Sequence, residues 1–406
     1  MIAPLVMNES ASLSAPLVGD VLTAVRKVLG RPEGPVVLHE PEFAGNEWDY
    51  IKECLDTGWV SSAGAYVDRF ERDLCDYTGV AHTVVTSNGT SALHICLLLA
   101  GVQAGEEVLM PTLTFIATAN AVSYLSGTPH FVDSEAVSLG VDALKLDAYL
   151  RDIAKVVNGV CINQRTGAVI RALVVMHVFG HPSDLDALNE VAKRWGLVLV
   201  EDAAESVGSL YHGRHTGNTG LVSALSFNGN KVVTTGGGGA VLTNDPQLGR
   251  RAKHLTTTAR TPHRWSFLHD EVGYNYRLPN INAALGCAQL EQLPSMIERK
   301  RALANCYDQA FASVDAVRFL SEPPGTRSNY WLNAIVIDAR HEHLRDQVLA
   351  VLNDAHYMSR PVWTLMHKLP MYQSCPRMDL TIASQMEARI INIPSSAKLG
   401  ARKANG

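Results

Sequence analysis

The sequence has no long hydrophobic run and no block of like charges. Its longest apolar stretches, Ala92–Val102 and Ala172–Gly180, each contain a histidine and are far shorter than the roughly 20 residues that a membrane-spanning helix requires. Lysine and arginine number 35 against 40 aspartate and glutamate, which gives a formal net charge of −5. This charge, without basic clusters, argues against a nucleic-acid groove and against a polybasic membrane patch.

Cysteine and histidine also form no familiar cluster. The seven cysteines are an odd number and widely spaced, which argues against a CxxC pair and a disulfide framework. The histidine pairs His177/His181 and His341/His343 lack the His-Glu-x-x-His pattern and have no cysteine cluster beside them. We therefore expect no metal site. The first 18 residues lack the basic and apolar regions of a signal peptide, so we expect a cytoplasmic protein.

What the sequence does contain is an alternation of apolar runs and amphipathic stretches, from about Glu47 to Asn244. The pattern predicts helices at Ser91–Ala100, Ile116–Ser126 and Asp184–Trp195, the last with Ser183 as its N-cap. It predicts an α/β fold around a mostly parallel sheet. The apolar runs are short and β-branched, which is typical of buried strands; they are His82–Thr86, Glu107–Met110, Thr128–Val132, Ala172–His177, Leu197–Glu201, Ala224–Phe227 and Ala240–Thr243.

The two ends of the chain have their own organisation. A long helical pattern from Asn280 to about Ala312 precedes a C-terminal part with one strand candidate, Leu332–Ile337, and one helix candidate, His343–Asp354. Near the other end, Leu17–Leu29 is amphipathic and Gly30–Pro35 is linker-like, so this part could cap the main body or pack on a partner subunit. We divide the chain into an N-terminal helical extension (1–40), a large domain (41–290) and a small C-terminal α/β domain (291–406).

Four polar stretches lie where an α/β sheet binds ligands. Ser87–Leu93 follows a strand and opens a helix, where amides and hydroxyls could hold an anion or simply form a capped turn. Glu201 and Asp202 end an apolar strand, where they are either ligand-binding acids or a helix cap. Lys231 follows another strand and faces Gly236–Gly239, where a bulky ligand could approach closely, although a surface lysine is the alternative. Gly273–Asn280 is a polar and aromatic loop.

In this order and spacing, the four stretches resemble the cofactor site of the fold-type-I pyridoxal-phosphate enzymes. They are most similar to the DegT/DnrJ-type aminotransferases, which act on nucleotide-linked keto sugars. The resemblance implies an aspartate-aminotransferase-like fold, with a large domain on a mostly parallel sheet, a smaller C-terminal α/β domain, and pyridoxal 5'-phosphate as cofactor. It spans roughly Leu38 to Ser395, and its most specific motifs are Ser-Asn-Gly-Thr-Ser-Ala-Leu (87–93), Pro-Thr-Leu-Thr-Phe (111–115), Glu-Asp-Ala-Ala (201–204), Ser226-Phe227 with Lys231, and Gly-Tyr-Asn-Tyr-Arg (273–277).

The resemblance implies a role for each matched position. Lys231 is the catalytic residue at the Schiff-base position, where the dehydrating relatives have histidine, and lysine favours amino transfer over dehydration. Asp202 is implied to pair with the pyridine nitrogen, and Phe115 to stack on the ring, with core packing as its alternative. Glu205 stands where many relatives have glutamine or histidine. The other implied cofactor ligands are Gly89, Thr90, Ser91, Ser226 and, from a second subunit, Asn275, so the site would need a homodimer.

Three segments, Leu38–Pro41, Gly45–Glu47 and Asp56–Ser62, resemble a subgroup of the legionaminic acid and related pathways. Those enzymes aminate C4 of a UDP-linked 2-acetamido-4-keto-2,6-dideoxy hexose, and the resemblance implies L-glutamate as the amino donor. A sugar-nucleotide pocket needs aromatic and cationic walls. The candidate wall residues are Trp59, Ser61, Ser62, Arg360, Trp363, His367 and Tyr372. For the two tryptophans, packing in the hydrophobic core is the alternative.

Two other functions stay open at this point. One is an aminotransferase that acts at C3 or C4 of a GDP- or dTDP-linked keto sugar. The other is a non-catalytic binding or regulatory protein that keeps the fold, although the presence of Lys231 and Asp202 argues against it.

Overall fold

The computed structural model describes residues 16–401, so the predictions for residues 1–15 and 402–406 lie outside it. No helix in the described range is long and apolar enough to cross a membrane. The α-helices, in chain order, are α1 Pro16–Leu29, α2 Glu47–Thr57, α3 Ala65–Thr78, α4 Gly89–Leu99, α5 Ile116–Tyr124, α6 Ala143–Ile153, α7 Leu185–Trp195, α8 Pro246–Thr256, α9 Asn280–Phe311, α10 Arg345–Asp354, α11 Thr381–Arg389 and α12 Ala397–Ala401.

The strands alternate with these helices over most of the chain. They are β1 His82–Thr86, β2 Glu107–Pro111, β3 Thr128–Val132, β4 Ala154–Val157, β5 Val160–Asn163, β6 Val169–Met176, β7 Val198–Asp202, β8 Leu210–Tyr211, β9 Arg214–His215, β10 Val222–Ser226, β11 Gly239–Thr243, β12 Arg260–Thr261, β13 Leu268–His269, β14 Val317–Phe319, β15 Thr326–Arg327, β16 Asn333–Ile337, β17 Arg360–Pro361 and β18 Ile390–Ile393.

The centre of the molecule is a nine-stranded sheet with the main order β1-β11-β10-β7-β6-β2-β3. The five strands from β10 to β3 in this order are parallel, whereas β11 is antiparallel to both of its neighbours. The hairpin β4–β5 joins this sheet by antiparallel pairing with β6. The predicted α/β class and the mostly parallel sheet are therefore confirmed.

Helix α7 shows how the sequence specifies a covering helix. Its apolar residues recur on one face, and Leu185, Leu188 and Val191 are buried against the sheet. Asp184, not Ser183, caps the helix, because the Asp184 carboxylate accepts a hydrogen bond from the amide of Ala187 at 3.1 Å. The predicted cap Ser183 is wrong because its hydroxyl is already used, as a donor to the carbonyl of Met176 at 2.9 Å.

A second, four-stranded sheet of order β14-β16-β18-β17 forms after α9. Helix α1 belongs to the core of this part, because its Val21 and Val25 are fully buried in one cluster with Tyr307, Phe311 and Tyr357. Helix α9 continues on both sides of residue 290, where the sequence analysis placed the boundary between the large and small domains. The three-part division of the chain stays a prediction.

The strand directions bring several loops to one edge of the central sheet. Strands β1, β2, β7 and β10 all run in the same direction, since β1 and β10 are each antiparallel to β11. Their carboxyl ends therefore lie at a common edge, which is where open α/β sheets bind ligands. Asp202 and Ser226 are the last residues of β7 and β10.

Candidate active site

A cavity of about 310 Å³ lies at this carboxyl edge. Loops after β1, β2, β7 and β10 form most of its wall, and two tryptophans from the C-terminal part complete it. A larger cavity of about 540 Å³, beside residues 29–36, contains none of the predicted site residues. The cavity at the sheet edge brings together Gly89, Thr90, Phe115, Asp202, Glu205, Ser226, Lys231 and Trp363.

Lys231 and Glu205 face each other in the cavity. The Lys231 Nζ atom lies 3.3 Å from Glu205 Oε1 and 3.8 Å from the centre of the Trp331 ring. The other Glu205 oxygen accepts a hydrogen bond from the amide of Phe179 at 3.0 Å. Burial raises the pKa of Glu205 to about 7, although the Lys231 charge acts in the opposite direction. A carboxyl group that titrates near neutrality beside an amine can exchange protons with it.

Asp202 lies at the end of β7 and is almost completely buried. Its carboxylate accepts hydrogen bonds from the hydroxyl of Thr118 at 2.7 Å and from the amide of Ala204 at 3.2 Å. Burial raises the pKa of Asp202, and the hydrogen bond from Thr118 opposes this shift. Since both hydrogen-bond donors are neutral, a cationic group in the cavity would stabilise the ionised carboxylate.

The start of α4 and Ser226 form the opposite part of the cavity wall. A β carbon at Gly89 would lie 2.8 Å from the β carbon of Ser226, so glycine is needed for this close approach. The side chain of Asn88 caps the helix by accepting a hydrogen bond from the amide of Ser91 at 2.8 Å. Helix N-terminal amides together with a hydroxyl are typical ligands of a phosphate group.

Two aromatic side chains border the cavity mouth. Phe115, which directly precedes α5, is half exposed, and its ring meets the ring of Trp363 edge-on at 6.3 Å. Trp363 also packs against Phe179, with ring centres 5.4 Å apart. These two faces are available for a flat ligand, and they reduce the access of water to the inner wall.

Ser91 and Asn275 do not line the cavity. The amide of Ser91 is bound to Asn88, and its hydroxyl lies 3.3 Å from the hydroxyl of Ser87. Asn275 is exposed, and its side-chain oxygen accepts long hydrogen bonds of 3.3 and 3.4 Å from Arg277. Within one chain, Asn275 therefore lies apart from the other residues that the resemblance implies as cofactor ligands.

The segment Trp59–Ser62 also lies away from the cavity, after the end of α2. The carbonyl oxygens of Trp59 and Ser61 accept hydrogen bonds from the side chain and the backbone amide of Asn280, at 2.7 and 2.6 Å. Trp59 lines a different cavity of about 430 Å³ beside Tyr66. The structure thus places Trp59, Ser61 and Ser62 apart from Lys231.

Among the C-terminal candidates, Trp363 alone lines the cavity. Arg360 is exposed and donates to the side chain of Asn353 at 3.2 Å. The Nδ1 atom of His367 lies 2.8 Å from the hydroxyl of Thr112. Tyr372 is buried, and its hydroxyl donates to the side chain of Asn120 at 2.6 Å. Each of the three residues therefore has a polar partner elsewhere in the protein.

The cavity includes residues that the sequence analysis did not assign to the site. Asn88, Leu93, Ala204, Asn228 and Asn230 belong to the motifs that carried the resemblance, so their positions in those motifs were a usable signal. The three remaining residues carried no such signal, because apolar residues next to a strand or in a helix are normally interpreted as part of the hydrophobic core. These are Ala117, Met176 and Trp331.

One group of possible metal ligands occurs in the described part of the chain, outside the cavity. The ligand atoms of His254, Asp270 and Glu271 lie within 4.8 Å of one another. Arg251 pairs with Glu271, and His254 contacts Asp270 at 2.7 Å. The carboxylates therefore already have cationic or hydrogen-bonding partners.

Comparison with known proteins gives a consistent result. Residues 41–405 match the DegT/DnrJ/EryC1/StrS aminotransferase family. The chain is 37% identical over 364 residues to the GDP-perosamine synthase of Escherichia coli O157:H7, which covers 90% of this chain and 94% of that protein. Identity to the GDP-perosamine synthase of Caulobacter vibrioides is 36% over 362 residues, with 88% and 92% covered.

The solved structures agree with the sequence comparison. The aminotransferase TlmJ from Streptoalloteichus hindustanus superimposes with a TM-score of 0.80 at 28% identity, over 89% of this chain and 94% of that one. The predicted fold type, reaction class and cofactor are thereby confirmed. The chain belongs to the DegT/DnrJ/EryC1/StrS aminotransferase family and is a pyridoxal-phosphate-dependent aminotransferase of fold type I.

Proposed function

We propose that this protein transfers an amino group from L-glutamate to a keto carbon of a nucleotide-linked sugar, with Lys231 as the catalytic residue. The observation that carries the proposal is the arrangement of Lys231, Glu205 and Asp202 around one cavity. Lys231 Nζ is 3.3 Å from Glu205, and Asp202 lies on the same wall. Amino transfer requires an amine and a buried anion of the protein, and Glu205 adds a carboxyl group that can exchange a proton with the amine.

The residues that line the cavity fit pyridoxal phosphate. The start of α4, with Gly89 and Thr90, and the hydroxyl of Ser226 would hold the phosphate, and the tight contact at Gly89 supports this assignment. The buried carboxylate of Asp202 would hold the protonated ring nitrogen, and Phe115 would cover a ring face. When bound, the cofactor supplies a carbonyl carbon for the amino group and a conjugated ring that accepts an electron pair.

Lys231 has two tasks in this proposal. Its amine retains the cofactor, and it moves a proton to and from the carbon at which the amino group is exchanged. Glu205 is positioned to accept a proton from the Lys231 ammonium and to return it, because burial raises the pKa of this carboxyl to about 7. The amide of Phe179 fixes the carboxyl in place through the hydrogen bond to its second oxygen.

For the acceptor, two nucleotide classes are candidates. The segments Leu38–Pro41, Gly45–Glu47 and Asp56–Ser62 favour C4 of a UDP-linked 2-acetamido-4-keto-6-deoxy hexose, in a legionaminic-type pathway. Two relatives of more than 35% identity are named GDP-perosamine synthase, and this favours a GDP-linked keto sugar instead. We take the UDP-linked sugar as the first candidate, since the three segments resemble that subgroup.

Completion of the site by a second copy of this chain is part of the proposal. Asn275 lies outside the cavity of its own chain, on a loop that is preceded by exposed apolar side chains. Trp265 is 71% exposed, Phe267 74% and Val272 82%. Several large apolar side chains exposed within one short segment, 265–272, indicate a protein–protein interface. A homodimer would cover them and would bring Asn275 to the partner's phosphate ligands.

The first test is reduction of the protein with borohydride in the presence of pyridoxal phosphate, followed by peptide mapping. We expect the reduced adduct on Lys231. A separate, unreduced sample of the protein with pyridoxal phosphate is incubated with L-glutamate and matched UDP- and GDP-linked 4-keto-6-deoxy sugars, and the products are identified by mass. An adduct elsewhere, or formation of no amino sugar from any keto sugar, would overturn the proposal. Turnover of the GDP-linked sugar alone would replace the first candidate by the second.

Shared active sites can be tested by complementation. Lys231→Ala and Asn275→Ala each remove one component of every site, so each homodimer would be inactive. A hybrid dimer keeps one intact site, which contains Lys231 of one subunit and Asn275 of the other. A random 1:1 mixture should therefore recover about one quarter of the wild-type activity, because half of its dimers are hybrids with one of two sites intact. Recovery of no activity would contradict the shared site.

A further inference from the structure

The segment Ser328–Leu332 of the C-terminal part contacts the loop that carries Glu205. The side-chain amide of Asn329 donates to the carbonyls of Glu205 and Val207, both at 2.9 Å. Its side-chain oxygen accepts a hydrogen bond from the amide of Trp331 at 2.8 Å. Asn329 is fully buried, so these contacts fix both the Glu205 loop and the backbone at Trp331.

Trp331 makes three separate contacts, and two of them involve Lys231 and the residue before it. Its indole N–H donates to the carbonyl of Asn230, the residue before Lys231, at 2.7 Å. The face of its ring lies 3.8 Å from Lys231 Nζ. Its own carbonyl accepts a hydrogen bond from the buried Lys300 at 3.2 Å. Trp331 is 5% exposed and lines the cavity with Lys231.

We propose that Trp331 is a positioning residue for Lys231. Its N–H holds the backbone from which Lys231 extends, and its ring face sets the direction of the Lys231 amine toward Glu205. The inference rests on the proposed function, because it takes Lys231 as the catalytic residue. It assigns to the C-terminal part of the chain a direct role in holding Lys231, which lies in the connection between two strands of the central sheet.

The physical basis is the attraction between an ammonium group and an aromatic face. Such a contact stabilises the charged amine, and more so where water is excluded. The amine must lose a proton before it can react, and the ring contact is weakened in that step. An apolar side chain without a π system would therefore leave the amine more reactive, whereas phenylalanine would retain most of the contact.

The matched variants are Trp331→Leu, which removes the ring and the N–H, and Trp331→Phe, which keeps a ring and removes the N–H. In the cofactor-free protein, Lys231 is labelled with an amine-directed acylating reagent, and the exposed Lys155 serves as the internal reference. We expect labelling of Lys231 relative to Lys155 to rise about two- to fivefold in Trp331→Leu. In Trp331→Phe it should stay within about twofold of the wild type.

A second measurement tests the hydrogen bond to Asn230. Trp331→Phe leaves that carbonyl without the indole donor, so the loop of Lys231 is less firmly held. We expect kcat to fall several-fold while the KM for L-glutamate changes less than twofold. Thermal unfolding of each variant checks the fold. If Trp331→Leu does not fold, Trp331→Met provides the same apolar replacement.

The outcomes separate this inference from the function on which it rests. Equal labelling of Lys231 in the wild type, Trp331→Leu and Trp331→Phe would overturn the role of the ring. An equal change in both variants would do so too, because both lose the indole N–H and only Trp331→Leu loses the ring. By contrast, absence of a borohydride adduct on Lys231 in the wild type would overturn the proposed function, whatever the labelling results.

Discussion

Two neighbouring carboxylates at the end of β7 have opposite surroundings. Glu201 is fully buried, and its oxygens accept hydrogen bonds from the ring of His177 at 3.0 Å and from the amides of Gly217, Thr219 and Gly220 at 2.6–2.7 Å. Asp202 points to the other face of the strand, where it has two neutral donors. Successive side chains of a strand alternate between faces, so adjacent acids can have unrelated roles.

The difference between the two acids lies in their partners, because both are buried. Burial alone would raise the pKa of Glu201, but the hydrogen bonds from His177 and the backbone amides lower it to about 2. For Asp202 the effect of burial prevails, and its pKa is raised. A buried carboxylate whose oxygens are saturated by donors is structural, whereas one with few donors beside a cavity is suited to bind a ligand.

The largest effect that we expect is a loss of turnover on substitution of Lys231, which lies in the cavity beside Asp202. Lys231→Ala removes the amine that we propose retains the cofactor and moves the proton, so turnover should fall about ten-thousandfold or more. The melting temperature of the cofactor-free protein should stay close to that of the wild type. Lys155→Ala, on the surface, is the matched control and should keep full activity. Multiple turnover by Lys231→Ala at the wild-type rate would exclude the proposed mechanism.

The pair of isosteric variants Asp202→Asn and Glu201→Gln tests the comparison directly. Asp202→Asn should lower kcat by about a hundred- to a thousandfold, because the buried ion pair that we propose with the cofactor would be lost, and should change the stability of the cofactor-free protein little. Glu201→Gln should lower the free energy of unfolding by about 3 kcal/mol, because an amide cannot accept all the hydrogen bonds that the carboxylate accepts. Urea unfolding and steady-state kinetics on both variants measure this. Equal losses of stability in the two variants would refute the distinction.

The pH dependence of stability gives a smaller effect at Glu205. Its carboxyl has a pKa of about 7 in the folded protein and about 4.5 when unfolded. The folded state therefore holds a proton that the unfolded state has released, so this group lowers stability as the pH rises from about 4.5 to 7. The cofactor-free wild type should lose on the order of 3 kcal/mol more than Glu205→Gln between pH 4.5 and pH 8. Parallel urea-unfolding series that show no difference would contradict the shifted carboxyl.

The seven strands in the main order of the large sheet, and helices α4, α5, α7 and α9, could be predicted from the sequence to within a few residues, whereas the hairpin β4–β5 and helices α6 and α8 were not predicted. Helix α9 is the clearest case, since the predicted pattern from Asn280 to about Ala312 matches Asn280–Phe311. The signal was strong because buried parallel strands are continuous apolar runs and their covering helices are amphipathic. Ser183 illustrates the limit, because two adjacent residues could both cap α7 and only the fold shows that Asp184 does.

The residues of the candidate site likewise divide into those that local sequence motifs predicted and those that they did not. Gly89, Asp202, Ser226 and Lys231 lie at strand ends or helix starts, so local motifs were enough to bring them together. Arg360, His367 and Tyr372 were chosen for their side-chain chemistry, but their position depends on how distant segments pack, which no local pattern encodes. Trp331 was missed for the same reason. Its position just before a buried strand is typical of a core residue, yet its ring faces the Lys231 amine.

The reversed direction of strand β11 bears on when the loop that carries Lys231 becomes ordered, during folding or on ligand binding. Lys231 lies in the connection 227–238 between β10 and β11, two adjacent antiparallel strands, so both ends of this loop are fixed in the same sheet. The loop is also held internally, because the amide of Lys231 donates to the carbonyl of Asn228 and the amide of Thr235 to that of Phe227, both at 2.9 Å. It therefore loses most of its conformational entropy when the protein folds, and little remains to be lost when a ligand arrives. Slow amide hydrogen exchange in 227–238 of the cofactor-free protein would be its signature.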